Sequence, residues 1–120
     1  MKIAISTMGS ELSSEVDARF GRAKAFMIYD TDTDEFEMMD NVQNLNAPQG
    51  AGIQSASNVI NRGVGAVITG HIGPNAFRTL SAAEIEIYIE AAGTVQEMLE
   101  KYKAGELKSA SGADRQGHWM

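Results

Sequence analysis

Two arginines that flank a glycine could bind an anion in this 120-residue chain. Arg19 and Arg22 belong to the segment Arg-Phe-Gly-Arg, which stands just before a strand-like stretch. A guanidinium group offers several hydrogen-bond donors and is weakly hydrated, so it suits bulky anions of diffuse charge. The segment therefore favours an anion-binding loop, and a pair of solvated surface arginines is the alternative.

Two glycine-containing turns that precede helical patterns have the same chemical character. One turn holds a glycine pair at 50 and 52, and the other, residues 70–75, has the sequence Gly-His-Ile-Gly-Pro-Asn. Glycines let a backbone approach a ligand closely, and the N–H groups at helix starts attract anions. Plain turns at helix starts and an ordinary loop histidine are the alternatives. The candidate binding residues in these turns are Gly50, Gly52, His71, Ile72, Gly73 and Asn75.

The residue types exclude several common binding sites. The chain has no cysteine, which removes disulfides, thiolate catalysis and Cys-ligated iron–sulfur or zinc sites. The glycine pair lacks the third glycine and the lysine of nucleotide-binding loops. Asp30, Asp32 and Asp34 imitate the start of a calcium loop, but Glu35 stands where that loop needs glycine. A solvated turn is predicted there instead.

Catalytic arrangements have equally little support. Ser6, Ser10 or Ser13 could pair with His71 in a small hydrolase, but no nucleophile-elbow sequence accompanies them. A metal-dependent nuclease needs several carboxylates around Mg²⁺, and neither the first predicted strand nor the central third of the chain contains one. Nuclease activity is therefore not expected, and a small hydrolase stays a third hypothesis.

The charges are separated along the chain. The formal net charge is −6, and six carboxylates between residues 30 and 40 account for all of it. Residues 41–83 contain no Asp or Glu, and their only Lys or Arg residues are Arg62 and Arg78. An acid-free stretch of this length suggests that an anion lies nearby. The negative total argues against a nucleic-acid partner.

Apolar periodicity and turn residues predict five strands and three helices. The strands are expected at residues 2–7, 24–30, 35–40, 66–69 and 85–89. The first helix follows the glycine pair and ends at Gly63, and the second covers residues 75–83 behind Pro74. The third begins after its cap Thr94 and ends at Gly105.

This β-β-β-α-β-α-β-α order predicts one α/β domain with a five-stranded mixed sheet. Short connections make the first three strands antiparallel, whereas β-α-β crossovers make the later strands parallel. The arrangement is similar to the ribonuclease H-like motif. Ligands of such sheets bind outside the carboxyl ends of the parallel strands. Residues 8–17, 70–74 and 91–94 should form this side of the sheet, which we name the carboxyl edge.

Several segments in order also carry a family resemblance. They are residues 2–7, 19–23, 50–52, 63–70, 72–77 and 93–97. Together they resemble the dinitrogenase iron–molybdenum cofactor biosynthesis family, over essentially residues 1–107. Members of that family are small carriers of metal–sulfur clusters or their precursors. One departure is that members often carry a histidine just before the glycine pair, where this chain has Asn-Ala-Pro-Gln at residues 46–49.

The resemblance implies a non-enzymatic carrier of an anionic cluster, and for a cysteine-free member it implies a molybdenum–copper sulfide cluster. Such a cluster brings its own sulfide ligands, so the protein would supply N–H donors, arginine charge and apolar walls. If copper does take a protein ligand, imidazole and thioether are suitable donors, which selects His71 and Met8. Protein donors and acceptors of the cluster are then the implied partners. The alternative is a small regulatory or scaffolding domain that binds proteins and no metal.

The last residues are predicted to lie outside the domain. We expect a carrier domain at residues 1–107 and a polar, mobile tail at residues 108–120. No apolar run is long enough for a membrane helix, and the N-terminus lacks the apolar core of a secretory signal. The sequence therefore predicts a cytoplasmic protein without a membrane partner.

Overall fold

A computed structural model describes residues 1–41 and 50–110 and confirms the predicted α/β domain. The elements are β1 (Lys2–Thr7), β2 (Ala25–Asp30), β3 (Phe36–Asp40), α1 (Ala51–Ile60), β4 (Val64–Ile68), α2 (Pro74–Ala82), β5 (Glu86–Tyr88) and α3 (Val95–Lys103). Strand β4 begins two residues earlier than predicted, because Val64 pairs with Lys2, and the glycine that follows Val64 interrupts the apolar pattern in the sequence.

The five strands form one mixed sheet in the order β3-β2-β1-β4-β5. β2 is antiparallel to β1 and to β3, whereas β4 is parallel to β1 and to β5. The carboxyl edge therefore collects the ends of β1, β4 and β5 and the start of β2. Helices α2 and α3 follow the ends of β4 and β5, so both begin at this edge. Helix α1 runs to the start of β4 at the opposite edge, so it also begins at the carboxyl edge.

The helices divide between the two faces of the sheet. α1 and α2 pack on one face and α3 packs on the other. The segment between β1 and β2 contributes side chains to both faces of the sheet. Leu12 and Val16 pack on the α3 side, whereas Phe20 and Ala23 belong to the core under α1 and α2. This segment therefore crosses the carboxyl edge from one face to the other.

The packed chain continues beyond the predicted boundary at residue 107. Ser109 forms an antiparallel bridge with Tyr88, and the N–H of Ala110 donates to the carbonyl of Ile87 at 2.6 Å. Residues 111–120 of the predicted tail lie outside the described residues. In the part of the chain that is described, no helix is long and apolar enough to cross a membrane.

Candidate anion-binding site

Buried polar side chains concentrate at the carboxyl edge. A buried polar group is costly unless it is hydrogen-bonded, and each buried side-chain polar atom in the described residues has a partner. Such a concentration of bonded groups fixes the loops that they join. In residues 1–41 and 50–110, the buried polar or charged residues are Ser6, Thr7, Asp17, Asn41, Ser55 and Thr69, all in loops, strand ends or helix turns at this edge.

The hydroxyl of Ser6 serves this loop structure. Its Oγ lies 2.7 Å from the carbonyl oxygen of Asp17 and 2.8 Å from Oγ1 of Thr69, and the residue is fully buried. A hydroxyl in this position cannot reach a substrate. Ser6 is therefore not available as the nucleophile of a hydrolase.

A buried carboxylate closes the arginine loop, which we define as residues 19–22. Asp17 is 2% exposed and accepts hydrogen bonds from the backbone N–H groups of Arg19 at 3.0 Å and Lys24 at 2.9 Å. Its Oδ1 also lies 3.4 Å from Nε of Arg19. One carboxylate therefore holds both ends of the loop and partly neutralises the first arginine.

The tip of the arginine loop is tied to α1. The carbonyl oxygen of Gly21 accepts a hydrogen bond from Nδ2 of Asn41 at 3.1 Å and lies 2.7 Å from Oγ of Ser55. Ser55 and Asn41 also contact each other, with 3.0 Å between Oγ and Oδ1. These contacts hold the main chain of the loop against Ser55 of α1, and the next residue, Arg22, is exposed.

The loop that follows β4 pairs with the arginine loop. The N–H of His71 donates to the carbonyl of Ala18 at 2.7 Å, and the N–H of Phe20 donates to the carbonyl of His71 at 3.2 Å. Gly70 permits this approach, since a Cβ there would lie 2.6 Å from the carbonyl oxygen of Ala18. The structure thus brings Arg19 and His71 together through a parallel bridge, with the His71 residue half-buried.

Within residues 1–41 and 50–110, no side chain closes the starts of α1 and α2, and we call these starts open. Their N-cap residues are Gly50 and Gly73, neither helix has a side-chain cap, and neither has an acidic residue in its first turn. The first N–H groups of a helix have no partner within the helix, so such starts attract negative charge. Gly52 lies in the first turn of α1 and is buried.

The start of α3 is closed by the protein itself. Thr94 and Glu97 form a capping box, and the resulting hydrogen bonds lower the pKa of the Glu97 carboxyl. The N–H of Val95 donates to the carbonyl of Ser14, and the next N–H donates to the carbonyl of Leu12, both at 2.9 Å. Predicted edge segments 8–17 and 91–94 therefore pack on each other rather than around a ligand.

Three of the predicted residues have different surroundings from the rest. Met8 is exposed and lines a hollow of about 240 Å³ that it shares with Met38 of the α3-side core. The side chain of Ile72 is fully buried, so only its main chain could face a ligand. Asn75, in the first turn of α2, is exposed, and its Oδ1 accepts a hydrogen bond from Nη2 of Arg78 at 2.5 Å.

The arginine loop is shaped by residues that were not among the predicted site residues. Asp17 had a local signal, because a carboxylate that accepts a hydrogen bond from the backbone N–H two residues later forms an Asx turn. Asn41 and Ser55 had none, since they bond to Gly21 across 20 and 34 residues of sequence. Residues 46–49, where the chain departs from the family pattern, lie outside the described part.

The arrangement suits an anion more than a bare cation. Among the described residues, no group of three His, Cys, Asp or Glu side chains could hold a metal ion. The α1–α2 side of the carboxyl edge instead offers two arginines, two open helix starts and glycines with little bulk. Its chemistry is therefore hydrogen-bond donation to negative charge.

Comparisons with known proteins agree with this fold. The model of the family described as dinitrogenase iron-molybdenum cofactor matches residues 1–105. The apo form of the orange protein from Desulfovibrio gigas is similar, with 34% identity, a TM-score of 0.90, and coverage of 95% of this chain and 96% of that chain. A putative NifB protein from Thermotoga has 34% identity, a TM-score of 0.80, and coverage of 97% and 98%. An uncharacterized protein from Methanocaldococcus jannaschii is 31% identical over 110 residues, which is 90% of each chain.

Proposed function

The chain belongs to the dinitrogenase iron-molybdenum cofactor family, and we propose that it is a non-enzymatic carrier of an anionic metal–sulfur cluster. The cluster is the cargo, and we propose the molybdenum–copper sulfide type. The observation that carries the proposal is the convergence of the arginine loop, residues 70–73 and the open starts of α1 and α2 on one side of the carboxyl edge.

Hydrogen-bond donors and charge would hold the cluster. Its sulfides already complete the coordination of its metals, so the protein needs to stabilise negative charge rather than form metal bonds. Arg19 and Arg22 supply charge, and the first N–H groups of α1 and α2 supply donors. Residues 41–83 contain no carboxylate and Asp17 is already bonded to its own loop, so the like charges that the arginines must outweigh are the exposed Asp40, opposite Ala25 at the end of β3, and Glu90, whose N–H donates to Gly70.

We propose that His71 lines the site without ligating copper. An intact cluster leaves its metals few open positions for an imidazole. Removing the imidazole should then leave the visible spectrum of the bound cluster in place and lower its affinity modestly. A spectral shift or a complete loss of uptake in His71→Ala would instead assign a copper ligand.

Reconstitution tests the carrier function. The purified chain is mixed with tetrathiomolybdate and a copper salt and desalted, and its visible absorbance and its molybdenum and copper content are measured. We expect colour and a fixed metal stoichiometry. A protein that stays colourless under these conditions refutes the carrier function and favours a domain that binds protein partners without metal.

Variants of the arginine loop test how the cluster is held. Arg19→Ala and Arg22→Ala should each weaken retention by about 1–3 kcal/mol, the value of a hydrogen bond to a charged group. High salt should weaken it as well, because partly exposed charges are screened over about 8 Å at physiological ionic strength. If both variants and 1 M salt leave retention unchanged, direct ligation must replace this account.

A further inference from the structure

A third arginine reaches back to the start of α2. Arg78 is exposed, and helical side chains lean toward the N-terminus of their helix. Its guanidinium reaches the side chain of Asn75, with 2.5 Å between Nη2 and Oδ1. Asn75 directly follows Pro74, the first residue of the helix, so the charge lies beside the uncapped first turn.

The partner of Arg78 orients the guanidinium without cancelling its charge. Two other arginines face carboxylates: Nε of Arg19 lies 3.4 Å from Asp17, and Nη1 of Arg62 lies 2.6 Å from Glu37. The described partner of Arg78 is a neutral amide, and no carboxylate occurs between residues 41 and 83. Its full positive charge is therefore available at the carboxyl edge.

We propose that Arg78, oriented by Asn75, is a further binding residue of the cluster site and makes that site favour doubly charged thiometallate anions over singly charged ones. This inference rests on the proposed carrier function. Because Asp17 partly neutralises Arg19, Arg22 alone would match about one negative charge, and Arg78 supplies a second. Coulomb energy scales with the charge of the ligand, so losing Arg78 should cost a dianion about twice the free energy that it costs a monoanion of the same shape.

Two tetrahedral probes isolate this charge effect. Tetrathiomolybdate carries two negative charges and tetrathiorhenate carries one, and both have the same four-sulfide shape. Their dissociation constants are measured by equilibrium dialysis for the wild type, for Arg78→Ala and for the control Arg62→Ala. The control removes the same charge from the opposite end of the molecule, where Arg62 is bonded to Glu37.

We expect Arg78→Ala to weaken tetrathiomolybdate binding about tenfold, as for one charge-assisted hydrogen bond, and tetrathiorhenate binding about threefold. Arg62→Ala should leave both constants within about twofold of the wild type, because screening removes distant charges. Asn75→Ala keeps the guanidinium but not its orientation, so it should give an intermediate loss. Since Arg78 and Asn75 are exposed, the denaturation midpoint of each variant serves as the folding control.

The possible failures are distinguishable. A wild type that binds neither anion overturns this inference, and the carrier function falls with it only if the reconstitution with tetrathiomolybdate and copper fails as well. A wild type that binds tetrathiomolybdate, together with an Arg78→Ala variant that behaves like Arg62→Ala, overturns this inference and leaves the carrier function standing. Equal losses for the two anions would overturn the charge selectivity, because they would show a donor that does not discriminate charge.

Discussion

Replacing Gly70 by alanine should separate the two loops that form the candidate site. A Cβ at this position would lie 2.6 Å from the carbonyl oxygen of Ala18 and 2.7 Å from its Cα. These are backbone atoms, which cannot rotate away as a flexible side chain can. The close approach of the two loops at Gly70 allows two backbone hydrogen bonds, one between His71 and Ala18 and one between Phe20 and His71. The substitution would push the loops apart and weaken both bonds.

The cost of Gly70→Ala follows from these contacts. Two backbone hydrogen bonds contribute about 1 kcal/mol each, and an inserted methyl group in a packed site costs about 1–3 kcal/mol. Partial relaxation can keep one bond, so we expect a loss of about 3 kcal/mol in the free energy of unfolding. With a urea m-value of about 2 kcal/mol per molar, the midpoint should fall by roughly 1.5 M.

Gly50→Ala is the matched control for this experiment. Gly50 also lies at the site, but a Cβ there would meet nothing within 4 Å, and its φ of −75° is open to any residue. Alanine is a poorer N-cap than glycine but loses less chain entropy on folding, so urea denaturation of this variant should match the wild type to within about 1 kcal/mol. If Gly70→Ala unfolds at the midpoint of Gly50→Ala, the close approach of the two loops is not a constraint and our account of their coupling is wrong.

Three further predictions concern stability. Thr94→Ala should lower the free energy of unfolding by about 1 kcal/mol in urea denaturation, because it removes the capping box of α3. The hydrogen bond from Lys103 lowers the pKa of Asp34 from 3.8, so its stabilisation is complete above pH 3.8 and is lost as the pH falls further. Denaturation between pH 5 and pH 2 should show this loss in the wild type and a flatter profile in Asp34→Asn. Deleting residues 108–120 should cost about 1 kcal/mol more than a deletion that retains Ala110, whose N–H bonds to β5, and equal midpoints would contradict that contact.

The elements could be predicted because short stretches of sequence encode them. Thr94 is followed three residues later by Glu97, which is the pattern of a capping box, and the structure contains that box. Gly105 follows α3 with a φ of +72°, a conformation that glycine adopts without strain. The strand directions could also be predicted, because short connections make neighbouring strands antiparallel and β-α-β crossovers make them parallel.

The site was only partly predictable because its geometry depends on distant contacts. Ile72 lies between a histidine and a glycine, and nothing local shows that its side chain turns into the core. Met8 and Arg19 belong to one connecting segment, yet that segment crosses from the α3 side to the α1–α2 side between Val16 and Phe20. The candidate hydrogen-bond donors can be identified from the sequence, whereas tertiary packing determines which of them lie close together.

The acidic turn between β2 and β3 makes the molecule an electric dipole, because the N-terminal ammonium, on Asp30 and Asp32, and Lys103, on Asp34, cancel only part of its negative charge. This turn holds Asp30, Asp32 and Asp34 at the end of the six-residue β2 that is opposite the arginine loop, roughly 20 Å away for an extended strand. At 0.15 M salt the screening length is about 8 Å, so an anion at the arginine loop does not sense the turn, whereas at 0.01 M it is about 30 Å and the anion does. Lowering the ionic strength should therefore first strengthen and then weaken the affinity for the anion. A negatively charged protein that delivers the cluster should also be oriented by this dipole, so that it approaches the end of the molecule with the arginine loop.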